Sequence, residues 1–261
     1  MNKTKPFKFP TLTFDTKYGK VTLYEKDQYF VDSFKGGNYW DENTLIKLKD
    51  HIPKDKNILE VGGHCGTSTL FYSKQISDAN EYHVFEPQEK MYKLLVHNLK
   101  QNNLEKKVKH YNAACFCFDG RVNMNDIDMD GPNSNQEITL LERNNRAINY
   151  GGLSIGRNGE SVKCHKIDNL KLDDIGFIHS DAQGSENFLF YGAKKLIKKH
   201  RPVILYENKD FYGSYLYDLI CQNYLGYNEE SKFDIRHYCM NELKYNTCIY
   251  RFTNFDTLLI P

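Results

Sequence analysis

Four carboxylates, Glu60, Glu86, Asp181 and Glu207, each lie at or near the carboxyl end of an apolar run with the character of a short strand. In open α/β sheets ligands sit beyond the carboxyl ends of the strands, so residues at those ends share one crevice. Asp181 follows IGFIHS and leads into Gln183, Gly184 and Glu186. A carboxylate there can orient or deprotonate an attacking hydroxyl, and Glu207 is a second candidate base. A rival reading groups Asp181 with Glu207 and Asn208 as hard oxygen ligands for Mg²⁺. Metal-free base catalysis is the expectation, and turnover insensitive to EDTA would eliminate the rival.

The ligand is indicated by NILEVGGHCGTSTLFYSK, Asn57 to Lys74. Ile58, Leu59 and Val61 read as a buried strand, Gly62, Gly63 and Gly66 as a tight turn, and Thr67 to Ser77 as a helix. A strand, a glycine turn and a helix amino terminus make a nucleotide-binding corner. A dinucleotide requires G-x-G-x-x-G, but His64 stands where the second glycine belongs and crowds a diphosphate. Glu60 would also aim a negative charge at that anion. S-adenosylmethionine (SAM) has no phosphate and carries an ammonium and a sulfonium, which suit an acidic strand end. Glu86, 20 residues beyond Gly66, lies at the offset where an acid meets the ribose hydroxyls. Pro87 follows it, and Ala114, small enough to let a flat base lie on backbone, suits the adenine edge. The expected cofactor set is Glu60, Gly62, Gly63, His64, Gly66, Glu86, Pro87, Ala114 and Asp181.

These residues need a scaffold of alternating elements. Thr11–Asp15 and Lys20–Tyr24 read as a hairpin around Tyr18-Gly19, and Asp41–His51 as a helix ended by Pro53. After Glu86, a helix runs to about Asn102 with Met91, Leu94, Leu95 and Leu99 as its stripe. Val108–Cys115 is a third strand, and Arg121–Asn125 follows an Asp119-Gly120 turn. Residues 126–159 are rich in Asn, Gly and Asp without a period, as a functional loop or lid would be. Ser161–Ile167, Ile175–Ser180 and Pro202–Glu207 are strands, Ser185–His200 a helix, and Cys248–Phe252 a last strand. Alternation of this kind means a doubly wound sheet. Residues 1–40 are expected as a hairpin extension and 41–261 as one ligand-binding domain.

Composition excludes several classes. The chain has 261 residues, 35 basic and 34 acidic, so its net charge of +1 gives no global field for a polyanion. Nucleic acid is therefore an unfavoured partner. Seven Cys without paired spacing suit reduced, buried thiols. The start, MNKTKPFKFP, lacks the apolar segment of a signal peptide, and no apolar run approaches the roughly 18 residues of a membrane span. A soluble, cytoplasmic protein is the expectation. The oligomeric state is left open.

The ordered motifs resemble those of FkbM-type SAM-dependent methyltransferases. ILEVGGHCGTSTL with FEP a helix later, NAAC before a D-G turn, and IHSDAQGSENFLFYGAKKLIKKHRPVILYEN carry the likeness, over roughly Phe30 to Asn208. It implies a Rossmann-like class I methyltransferase: a doubly wound, mostly parallel sheet with an antiparallel last strand. It further implies SAM at Glu60, Gly62, Gly66, Glu86 and Ala114, with Asp181 at the reaction centre of an O-methyltransferase whose acceptors include sugar hydroxyls. His64 stands at a family Asn and His179-Ser180 at a Lys-Ile, beside Asp181. RNA caps, lipids, peptides and other small molecules stay open as acceptors, as do a NAD-dependent oxidoreductase and an inactive SAM-fold module. Each residue also has a purely structural reading. Asp181 as a helix cap, Glu207 as a structural pair, His64 as a turn residue and His179 as packing beneath the pocket all remain possible roles.

Overall fold

The computed structural model describes residues 7, 9–76, 81–126, 148–208 and 215–261. The amino-terminal start, Ser77 and most of the irregular stretch 126–159 therefore lie outside the described residues, as do 209–214.

The chain opens with β1 (Thr11–Thr16) and β2 (Gly19–Tyr24), an antiparallel hairpin as expected, followed by α1 (Gln28–Lys35) and α2 (Glu42–Lys49). α1 has no counterpart in the sequence reading. Next come β3 (Asn57–Val61), α3 (Thr67–Gln75), β4 (Tyr82–Phe85), α4 (Glu89–Gln101) and β5 (Val108–Tyr111). The segment expected as one strand to Cys115 is two. Asn112 donates side-chain hydrogen bonds to the Glu86 and Pro87 carbonyls, both at 3.0 Å, and ends β5. The chain then enters a separate four-stranded sheet of β6 (Ala114–Phe116), β7 (Gly120–Asn125), β8 (Ile155–Gly156) and β9 (Asn158–Lys166).

β10 (Ile175–Ser180) returns to the main sheet. The helix expected over Ser185–His200 is broken into α5 (Glu186–Tyr191) and α6 (Lys194–His200). Gly192 lies at the break, where a Cβ would meet the Phe116 carbonyl oxygen at 2.2 Å. β11 (Val203–Glu207), α7 (Tyr215–Ile220), β12 (Thr247–Ile249) and β13 (Asp256–Ile260) complete the elements that matter for the site. The last strand is thus β13, beyond the expected Cys248–Phe252.

The main sheet has the order β12-β13-β11-β10-β3-β4-β5. β11, β10, β3, β4 and β5 are parallel, and β13 runs antiparallel to both β11 and β12. This is a Rossmann-like, doubly wound sheet with an antiparallel last strand. Alternation along the strands feeds two apolar layers. Ile58, Val84, Phe177 and Leu205 join Leu70, Phe71 and Leu94 on one face, whereas Leu59, Phe85, Ile178 and Ile204 join Leu189 and Ile197 on the other. Burying both faces requires runs apolar on both sides, which is why ILEV and VILYE lack a polar alternation. Hairpin residues Val21 and Leu23, and Phe30 and Val31 of α1, belong to the first layer.

Asn98 of α4, fully buried, ties the hairpin to the glycine turn. It accepts from Thr22 N–H (2.8 Å) and donates to the carbonyls of Thr22 (3.0 Å) and Cys65 (2.7 Å). All seven thiols are free, and six are buried. Among the described residues no helix is long and apolar enough to cross a membrane.

Candidate active site

From β3 the chain winds outward to β4 and β5, then crosses to β10 and β11 on the opposite side. The reversal falls between β3 and β10, and ligands bind at such a switch point, beyond the strand carboxyl ends. Register does the positioning. Val61 pairs with Phe85 and with Ser180, and Ser180 pairs with Tyr206. The next residues, Glu86, Gly62, Asp181 and Glu207, therefore form one row across four strand ends. All four line a cavity of about 670 Å³.

The turn is made by backbone. Gly62 and Gly63 both donate to the Phe85 carbonyl, at 2.9 and 3.0 Å, and Gly66 donates to Gly63 at 2.8 Å. Gly62 has φ +89°, and a Cβ there would meet the Asp181 carbonyl oxygen at 1.9 Å, so only glycine lets β3 and β10 close at this point. Asp181 N–H in turn donates to the Val61 carbonyl at 3.0 Å.

Glu86 is buried and held by two main-chain donors. His64 N–H reaches Oε2 and Gln88 N–H reaches Oε1, each at 2.8 Å. A carboxylate oxygen accepts more than one hydrogen bond, so both oxygens keep capacity for a diol. Burial pushes the Glu86 carboxyl up to about 7, against the lowering effect of the His64 charge and the two N–H groups. Pro87, Gln88 and Ala114 stand beside it on the cavity wall.

Glu60 is placed differently from the expectation. Its side chain lies on the Ile58 face of β3, where Oε2 accepts from Thr69 Oγ1 (2.7 Å) and from the Tyr82 hydroxyl. It does not line the cavity, and neither do Gly63 and Gly66, which shape the turn from behind. Burial pushes Glu60 up to about 7, opposed by the two hydroxyl donors.

At the other end of the row, Asp181 is exposed to the cavity. Its Oδ1 accepts from Gln183 Nε2 at 2.6 Å, and the same nitrogen donates to Glu207 Oε2 at 3.1 Å. Asp181 does not cap α5; the amide of Ala182 is taken instead by Glu186 Oε1 at 2.7 Å. His179 lies under the pocket, with Nδ1 3.2 Å from the Tyr72 hydroxyl. Burial lowers its imidazole to about 4, against the pull of Asp181.

Several lining residues carry no local sequence signal. Tyr29, Phe30, Ser33, Trp40 and Asp41 come from the segment around α1, Thr253 to Phe255 from the turn before β13, and Asp256 from the first position of that strand. Glu207 pairs in register with Asp256. Asp41 and Asp256, hemmed in by protein though open to the cavity, are both pushed up to about 6 by burial and by the nearby Asp181 charge, while Thr44 and Thr253 hydroxyls hold them down. The described lining residues include no Lys or Arg. Among the described residues no three His, Cys, Asp or Glu side chains are grouped to hold a metal ion.

Residues 60–231, well over half of the chain, match the methyltransferase FkbM domain. Among solved structures, the FkbM methyltransferase of Methylobacillus flagellatus is similar at 14% identity and a TM-score of 0.49, over 79% of this chain and 43% of that one. The chain thus spans less than half the length of that relative. A putative rRNA methylase of Clostridium thermocellum is similar at 11% identity and a TM-score of 0.44, over 84% and 92%. An S-adenosylhomocysteine-bound methyltransferase of Podospora anserina is similar at 16% identity and a TM-score of 0.38, over 83% and 75%. No curated protein sequence matches the chain.

Proposed function

The chain belongs to the methyltransferase FkbM domain family, and we propose that it is a SAM-dependent O-methyltransferase acting on a hydroxyl of a sugar or glycan. The observation that carries this reading is the row Glu86, Gly62, Asp181 and Glu207 along one cavity. The residues fit the cofactor. Glu86 would receive the two ribose hydroxyls, Ala114 and Pro87 would flank the base, and the Gly62 turn would pass the amino-acid end. The α3 amino terminus, with Gly66 as its cap, would favour the carboxylate of that end.

When bound, SAM supplies an electrophilic methyl group on sulfur for in-line displacement. The protein's share is positioning and proton handling. Asp181 would accept the proton of the attacking hydroxyl, with Gln183 fixing its Oδ1 and leaving Oδ2 for that contact. Glu207, held by the same amide, would steady a second acceptor hydroxyl. Tyr29, Trp40 and Phe255 offer flat apolar faces to a sugar ring, and Phe255 is 65% exposed at the rim. A wall with carboxylates and without Lys or Arg among its described residues supports an uncharged, hydroxyl-rich acceptor over a phosphorylated one. Residues 41–261 would form the catalytic unit, and the 1–40 extension would complete one wall through Tyr29, Phe30, Ser33 and Trp40. A cytoplasmic location accompanies this reading.

The test is a screen of neutral, amino and phosphorylated sugars, read by S-adenosylhomocysteine (SAH) release with Asp181→Ala alongside. Turnover on a neutral sugar, lost in the variant, is expected. Turnover confined to non-sugar acceptors would overturn the acceptor class.

A further inference from the structure

His64 and Asp27 form a buried ion pair that the glycine turn itself does not require. His64 Nε2 lies 3.2 Å from Asp27 Oδ2. Asp27 has no exposed surface, and no donor other than that imidazole reaches its carboxylate oxygens. A carboxylate removed from water without a donor is costly unless a charge stands opposite, so the imidazole facing it carries the proton. The Phe30 ring, 4.3 Å from the imidazole centre to centre, closes the pair off. Asp27 is fixed in place by main chain. Gln28 N–H donates to the Ile148 carbonyl at 3.0 Å, and Ile148 N–H to the Lys26 carbonyl at 2.9 Å.

The main chain of His64 meets Glu86 at the cavity wall. Its N–H donates to Glu86 Oε2 at 2.8 Å, and its charge opposes the effect of burial on that carboxylate. Burial works against charging the imidazole, but the Cys65 sulfur and Asp27 outweigh it and raise His64 well above its usual range. The remaining groups around the chain of charges are Lys90, which the Asp27 charge also attracts, Lys26 near Lys90, Tyr150 near Asp27, and Glu160 near Glu86. Lys90 does not replace His64. Its Nζ sits over the rings of Phe9, Tyr24 and Tyr150 at 4.1, 4.4 and 4.0 Å.

We infer that Asp27, from the segment leading into α1, is a positioning residue for the cofactor: it pairs with His64 so that an imidazolium stands behind Glu86, the carboxylate that receives the ribose hydroxyls. The inference rests on the reading of Glu86 given above. Asp27 thereby becomes part of the cofactor site without lining the cavity itself.

The test is calorimetric titration of the full chain with SAH, for wild type, Asp27→Asn, Asp27→Glu and the double variant Asp27→Asn/His64→Gln. Asp27→Asn is expected to weaken SAH binding about tenfold, with partial recovery in Asp27→Glu. In ¹⁵N-labelled protein at about pH 7.5, the His64 ring nitrogens are expected to change from imidazolium to neutral shifts in Asp27→Asn. The double variant leaves no unpaired charge and keeps the test open should Asp27→Asn fail to fold; it too should bind SAH about tenfold more weakly. Wild-type affinity in the folded variants, or unchanged His64 nitrogen shifts, would overturn the inference. Wild-type protein that binds no SAH would overturn the reading of Glu86 first, and this inference with it.

Discussion

Asp181 Oδ1 and Gln183 Nε2 are 2.6 Å apart, and that one amide also reaches Glu207 at 3.1 Å. The two carboxylates at neighbouring strand ends are thus set by a single donor, itself buried and held at φ +50°. The carboxylate proposed as the base, fixed in this way, needs no rearrangement when a hydroxyl arrives.

Asp181→Asn keeps the shape and removes the base. It should lower kcat by about 10² to 10⁴ while changing the SAH dissociation constant by less than about threefold. Glu207→Gln should cost less, about tenfold, and mainly in KM for the acceptor. Steady-state SAH release with calorimetry separates the two effects. Equal losses in both variants would place the base elsewhere.

Glu86→Gln puts an amide nitrogen against one of two main-chain N–H donors and removes a charge from the diol contact. SAH binding should weaken by about 10- to 100-fold, with kcat at saturating SAM nearly unchanged. Calorimetry at fixed pH checks this. A variant that lost kcat alone would assign Glu86 to the chemistry.

Glu60 gives a pH-dependent signature. Its folded value of about 7 lies above the ordinary 4.5, so the folded state binds the extra proton between these values. Its contribution is intact below about pH 4.5 and is lost as pH rises through 7. Glu60→Gln should therefore match wild-type stability near pH 4.5 and exceed it by roughly 3 kcal/mol at about pH 8 in the ligand-free protein. Urea denaturation at both pH values measures the difference. A variant less stable than wild type at about pH 8 would show that the Thr69 and Tyr82 contacts need the charge.

Asn98→Ala removes three buried bonds that tie hairpin, α4 and turn, and strands buried backbone groups. A loss of about 3 kcal/mol is expected, or roughly 6–10 °C in Tm. Thermal unfolding followed by circular dichroism reads it. A Tm within about 2 °C of wild type would mean that the hairpin docks without help from Asn98.

The strand ends were legible because parallel strands buried on both faces are apolar runs, and each run here stops at an acid or the glycine turn. Glu86 followed from an offset and Asp181 from its place after IGFIHS. The direction of Glu60 was legible too, since period-two alternation puts it with Ile58 rather than Val61. Its acidic type suggested a ligand contact, yet Thr69 and Tyr82 take it. Other features had no local signal. The stripe Leu189, Ala193, Leu196 and Ile197 continues across the break at Gly192, which exists because the Phe116 carbonyl presses there. Trp40, Asp41 and Asp256 reach the cavity, and Asp27 reaches His64 behind it, only through tertiary contacts, and β13 is five residues long after a polar turn. The division between β5 and β6 depends on Asn112, a residue whose side chain looked like any loop amide.

On the function proposed above, the strand-end row takes SAM rather than a dinucleotide. Parallel calorimetric titrations of the purified chain with SAH and with NADH test it most directly. Saturable SAH binding that weakens in Glu86→Gln is expected, with no NADH binding. NADH binding without SAH binding would contradict it.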